Sequence, residues 1–203
     1  MYRRLLIIFS IILATAGAAG AETASQLLDR AAKNFRSAAS ITAKFTLTSP
    51  NGTASGSLTF AGDKFVMTSA QMQTWYDGTT QWTYIPADKE VSVSEPTPEE
   101  LQQINPFIVI NSFRTGYTAV ESKAVGGKRC LRLTAKSKKA EIQSAIIYLD
   151  AKTLLPSSIT LTMSNRQSIS IALTGVAKGK KLPLSTFRFQ KAKFPGVYVN
   201  DLR

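Results

Sequence analysis

Apolar positions recur at intervals of three and four near the start of the chain. Ala24, Leu27, Leu28, Ala31, Ala32, Phe35, Ala38 and Ala39 follow that period, which predicts an amphipathic helix from Glu22 to about Ala39. Thr23 and Gln26 stand at capping-box spacing at its start. From Ile41 the period becomes two. Ile41, Ala43, Phe45 and Leu47 alternate with Thr42, Lys44, Thr46 and Thr48, the pattern of a half-buried strand. Pro50-Asn51-Gly52 turns the chain, Leu58 and Phe60 resume the alternation, Gly62-Asp63 turns it again, and Phe65 and Met67 follow. Trp75-Tyr76, Asp77-Gly78 and Trp82-Thr83-Tyr84 read as a hairpin with aromatic arms. Later strands are predicted at Glu90–Ser94, Tyr117–Lys123, Cys130–Lys136, Ser144–Leu149, Ser158–Met163, Ser168–Thr174 and Phe187–Gln190. Short, evenly spaced strands divided by turn formers predict a mainly β (α+β) fold. Its antiparallel sheet is curved into a barrel or part of one. No domain linker and no internal repeat interrupts it.

Two stretches break the strand pattern. Thr97-Pro98-Glu99-Glu100 places a cap, a proline at the first helical position and a capping-box acid in order. Leu101 and Ile104 give the helix that follows an apolar side. Asn105-Pro106 restarts a second helix carrying Phe107, Ile108, Ile110 and Phe113, and Gly116 closes it. Helices inserted between strands of an open barrel can cover its mouth. The other break is the N-terminus. Arg3-Arg4, the apolar run Leu5 to Leu13 and the small residues ending Ala19-Gly20-Ala21 follow the grammar of a secretory signal. The run is about half of the roughly 20 residues that span a bilayer. Residues 1–21 are therefore expected to be a cleaved signal peptide, with 22–203 a single domain exported to a periplasm.

Composition narrows the chemistry. The 203 residues contain no histidine, which removes Ser-His-Asp and Cys-His catalysis and His-ligated metals. Cys130 is alone, so no internal disulfide forms, and burial as a small hydrophobe is its default state. Gly175 to Lys180 lacks the spacing and the Ser/Thr of a phosphate-binding loop and reads as a basic turn. Asp88 with Glu90 reads as a solvated hairpin tip, and Glu99 with Glu100 as helix capping, rather than as a glycosidase pair. These readings predict a protein that is not an enzyme and needs no cofactor or metal. The net charge of +12 comes from bases clustered late, among them Lys136, Lys138, Lys139, Lys178, Lys180 and Lys181. Aromatics do not interleave with them as a single-strand nucleic-acid binder would require. A basic rim that is solvated, or that faces anionic lipid or an acidic partner, is the expectation, with no nucleic acid.

Trp75, Tyr76, Trp82, Tyr84, Phe45, Phe60, Phe65, Phe107 and Phe113 fall instead on strand faces or on the inserted helices. A sheet of this size with three apolar helices can enclose a cavity, and Met67, Met72 and Met163 suit it to flexible guests. The candidate acyl-chain cavity residues are Phe45, Phe60, Phe65, Met67, Trp75, Trp82, Tyr84, Phe107 and Ile110. The candidate lid residues are Leu101, Ile104, Phe107 and Phe113.

Several stretches together resemble the LolA family of periplasmic outer-membrane lipoprotein carriers. They are Trp75-Tyr76-Asp77-Gly78 followed by Trp82-Thr83-Tyr84-Ile85-Pro86, Asn105-Pro106-Phe107, and the ending Phe194-Pro195-Gly196-Val197-Tyr198-Val199-Asn200-Asp201-Leu202-Arg203. The resemblance runs over essentially the whole chain after residue 21. It implies an unclosed antiparallel β-barrel with an apolar concave face under a helical lid. It also implies a monomer that takes acylated lipoproteins from an ATP-driven releasing complex in the inner membrane. The family shields their acyl chains and passes them to an outer-membrane acceptor. That acceptor is similar but is itself lipidated, and no cysteine follows the signal here. Many carriers hold their lid with an arginine in the turn before the strand of Phe65 and Met67. This chain has Ala61 and Gly62 there, with Lys64 nearby, and lysine does not reproduce a bidentate guanidinium contact. A periplasmic binder of another lipid, or of a regulatory lipoprotein, on the same fold is the alternative.

Overall fold

The computed structural model describes residues 22–98, 100–101 and 116–203. The expected signal peptide, residues 1–21, lies outside them. The first element is α1 (Ala24–Arg36), shorter at both ends than its apolar period suggested. The Thr23 hydroxyl accepts from the Gln26 amide, and the Thr23 amide donates back to Gln26 Oε1, completing the capping box. Its apolar stripe buries Leu27, Leu28, Ala31 and Ala32.

Six strands then run in hairpin succession: β1 (Ser40–Ser49), β2 (Gly52–Ala61), β3 (Lys64–Ser69), β4 (Gln73–Tyr76), β5 (Gln81–Ile85) and β6 (Glu90–Ser94). The turns fall where the sequence placed them. Gly52 at φ 123° and Gly78 at φ 106° take backbone angles that a side chain disfavours. A second run follows: β7 (Tyr117–Val125), β8 (Lys128–Ala135), β9 (Ile142–Asp150), β10 (Pro156–Met163) and β11 (Ser168–Gly179). The chain ends with two 3-10 turns, Leu184–Phe187 and Lys191–Lys193, and β12 (Tyr198–Asp201).

Among the described residues, all twelve strands form one sheet in the order β12-β6-β5-β4-β3-β2-β1-β11-β10-β9-β8-β7. Its ends, β12 and β7, do not pair, so the curled sheet stays an unclosed barrel. The two runs join where β1 meets β11, Phe45 opposite Leu173 and Leu47 opposite Ile171. All neighbours are antiparallel except β12, which lies parallel to β6 with Val199 opposite Val91.

Two sequence expectations need correction here. Gly175 to Lys180 is not a turn: β11 runs on to Gly179, which lies opposite Ser40 on β1. Phe187–Gln190 is not a strand, although Phe187 and Phe189 alternate with polar residues. Pro183 opens a 3-10 turn that ends at Phe187, and the residues after it cross the sheet face-on without joining its ladder. The strand of the C-terminal tail is β12 instead.

Candidate ligand trough on the concave face

Residues opposite one another across a ladder point to the same side of a sheet. Following the register therefore sorts side chains by face. One rank runs Ile41, Phe60, Phe65, Tyr76, Gln81, Ser94 across β1 to β6. The next runs Ala43, Leu58, Met67, Thr74, Thr83, Ser92. In the second run of strands, Leu47, Ile171, Ile159, Ile147 and Leu131 continue the same face. These apolar residues, with the stripe of α1, form a single buried cluster. α1 lies over this face: the Phe35 and Phe60 rings meet edge-on at 5.2 Å.

Of the candidate cavity residues, the structure brings Phe45, Phe60, Phe65 and Met67 together on this face. The Phe45 ring lies over Gly56, where an added Cβ would come within 2.7 Å of it. Leu101 joins the same cluster. Ile104, Phe107, Ile110 and Phe113 lie outside the described residues. Trp75, Trp82 and Tyr84 are corrected. Trp75 pairs with Val66 and Trp82, one position out of step with Phe65 and Tyr76, so it faces the convex side. There the C-terminal tail covers it. Phe189 and Phe194 stack edge-on against Trp75 at 5.7 and 5.6 Å, and Phe194 against Tyr84 at 4.9 Å. These aromatics, with buried Val91, Val93 and Phe187, make a second core behind the trough. Arg188 holds the tail down, its Nε donating to Asp77 Oδ2 at 2.7 Å.

Polar contacts pin α1 at both ends. Near its start, Arg129 Nη1 donates to Glu22 Oε2 at 2.7 Å, while its Nε and Nη2 grip both oxygens of Glu121 on β7, each at 2.7 Å. The guanidinium holds the Glu121 carboxyl below the usual range. At the other end, Asn34 donates to the Thr153 carbonyl and accepts from Lys178 Nζ. Sequence reading missed this fastening because Glu22 and Arg129 are 107 residues apart.

The trough changes character along its length. From β4 to β6 its floor turns polar, through Thr74, Gln81, Thr83, Ser92 and Ser94. It ends in a cleft of about 580 Å³ bordered by Gln81, Ser94, Glu95, Glu100, Leu202 and Arg203. The Glu100 carboxylate is engaged as a helix cap by the Thr97 amide, and Arg203 reaches Asp201. Thr74 and Gln81 were not among the sequence candidates, since nothing in their residue type signals burial. Among the described residues no helix is long and apolar enough to cross a membrane.

Comparison with known proteins adds the family. Residues 13–167 match the family model described as "Outer membrane lipoprotein carrier protein LolA". No curated protein matches the chain in sequence. An uncharacterized conserved protein from Thermus thermophilus shares the fold at TM-score 0.61 and 10% identity, covering 88% of this chain and 98% of that one. A LolA superfamily protein from Nitrosomonas europaea aligns at TM-score 0.42 and 11% identity over 82% of this chain and 98% of its own. A chain of the Pseudomonas aeruginosa MucA/MucB complex aligns at TM-score 0.46 and 15% identity over 83% of this chain and 61% of its own.

Proposed function

The chain belongs to the LolA family of outer membrane lipoprotein carriers, and on that premise we propose that it carries acylated lipoproteins across the periplasm. Residues 1–21 serve as its cleaved signal and 22–203 as one carrier domain. Acyl chains lie on the concave face against Phe45, Phe60, Phe65 and Met67, with Phe107, Ile110 and the rest of the 101–113 segment closing over them. The observation that carries this reading is the continuous apolar rank on one side of an open sheet, roofed by α1, which polar contacts at its two ends hold in place. Phe65 is only 1% exposed, so entering chains displace α1 or its neighbours and exchange one apolar contact for another.

That exchange keeps binding loose. Burying each methylene from water is worth about 0.8 kcal/mol, so a rigid open slot for several acyl chains would never release them. A slot already filled by its own roof gains only the difference. Transfer then runs downhill to an acceptor with no nucleotide on this protein. An ATP-driven complex at the inner membrane loads it, and it works as a monomer with neither enzymatic activity nor nucleic-acid partner.

Mass spectrometry of material extracted from the protein purified out of a periplasm tests the reading. Acylated polypeptide is expected. Free lipid would transfer the fold to the alternative, a carrier of another lipid, and an empty protein that excludes apolar probes would overturn both.

A further inference from the structure

Two polar side-chain atoms on the concave face have no partner among the described residues: Thr74 Oγ1 and Gln81 Oε1. Thr74 is wholly buried and Gln81 is 9% exposed. Folded proteins seldom leave such atoms unpaired, because the cost of removing them from water is then not recovered. Both stand in the ranks that carry Phe65 and Met67, one and two strands further along. Gln81 also borders the cleft at the polar end of the trough. Its Nε2 is already committed to Thr83 Oγ1 at 3.2 Å, which leaves the oxygen free to accept.

We propose that this end of the trough is a subsite for the amide group of an N-acylated ligand. The inference rests on the carrier reading and adds a head to its tail. The acyl chain runs over Phe65 and Met67, and the amide N–H reaches Gln81 Oε1 where the floor turns polar. With Gln81 Nε2 held by Thr83, the oxygen requires a donor, and the N–H of a secondary amide supplies one. An ester offers no donor and leaves the oxygen unpaired. The subsite therefore discriminates amide-linked from ester-linked acyl chains, a distinction the apolar floor cannot make.

Calorimetric titration of the full domain with three ten-carbon probes tests this: an N-decanoyl peptide, N-decanoyl ethanolamine and methyl decanoate. Both amides are expected to bind about tenfold more tightly than the ester, the effect of one buried hydrogen bond. A peptide preferred over the ethanolamide identifies an acylated polypeptide as the source of the amide, and equal affinity identifies any amide-linked lipid. In Gln81→Leu the amide preference should vanish while the ester affinity holds. Gln81→Met, which keeps the length of the side chain and removes the acceptor oxygen, is a second variant that should abolish the preference should the first fail to fold. Equal binding of all three probes by the unaltered protein overturns the subsite and leaves the carrier reading standing. Binding of none overturns both.

Discussion

Asp77 accepts the Thr79 and Thr80 amides on Oδ1 and the Arg188 guanidinium on Oδ2. Burial pushes its carboxyl up, but the Thr80 amide, Arg188 and the Thr79 amide outweigh it and hold the group below its ordinary value of 3.8. The stabilisation is complete above that ordinary value and is lost as the pH falls through the depressed one. Acid below pH 3.8 should therefore slacken both the β4–β5 turn and the tail that Arg188 anchors. Tryptophan emission should shift to the red as Phe189 and Phe194 leave Trp75, and Asp77→Asn should show much of that shift already at neutral pH. An emission maximum flat through this range in the unaltered protein would mean that the tail is held by its rings alone. Tyr76, next in sequence, lies on the other side of the strand. Burial and the nearby Asp63 and Asp77 charges raise its phenol above 10, so it stays neutral and donates to the Gly78 carbonyl.

At the level of elements, α1 stays on the sheet through an apolar stripe, a three-acceptor arginine near its start and the Asn34 contacts near its end. Arg129→Lys is expected to loosen the start of the helix almost as much as Arg129→Ala, because an ammonium cannot hold Glu121 with two parallel bonds and Glu22 with a third. The groups are partly exposed, so the cost should be about 1 kcal/mol in urea unfolding. Faster amide exchange at Gln26 to Leu28 than at Ala32 to Phe35 would locate it; uniform exchange along α1 would show the pin to be idle. The helix, its capping box and the hairpins of the first run were all legible in the sequence, because each is set by residues a few positions apart. The facing of β4 was not. Thr74, Trp75 and Tyr76 are all buried, so period two offers no single inner side to choose. Only the pairing of Phe65 with Tyr76, and a tail that arrives more than a hundred residues later, decide it. The polar end of the trough was hidden for the opposite reason: threonine and glutamine read as solvent-facing until a register buries them.

Seen as a whole, the molecule has two cores back to back on one sheet, and they should fail separately. Trp75→Ala removes the ring that Phe189 and Phe194 clasp and should cost about 3–5 kcal/mol. It should leave affinity for an apolar acyl probe unchanged, since that ring faces away from the trough; a matching loss of probe binding would mean that the two faces are coupled. The join between the runs of strands has a consequence in time. β1 pairs with β11, whose first residue trails the last residue of β1 by about 120 positions. At roughly 5–20 residues per second the ribosome takes about 6–24 s to supply that partner. For that interval one side of β1 is a bare template for any passing strand. Lys44 is exposed in the middle of β1 and sets a charge into that template, which deters foreign pairing; the register slip opposite Thr42 and Lys44 belongs to β11, which spends one more residue there than β1. A side chain that makes no ion pair among the described residues would thus matter most before the ladder is complete.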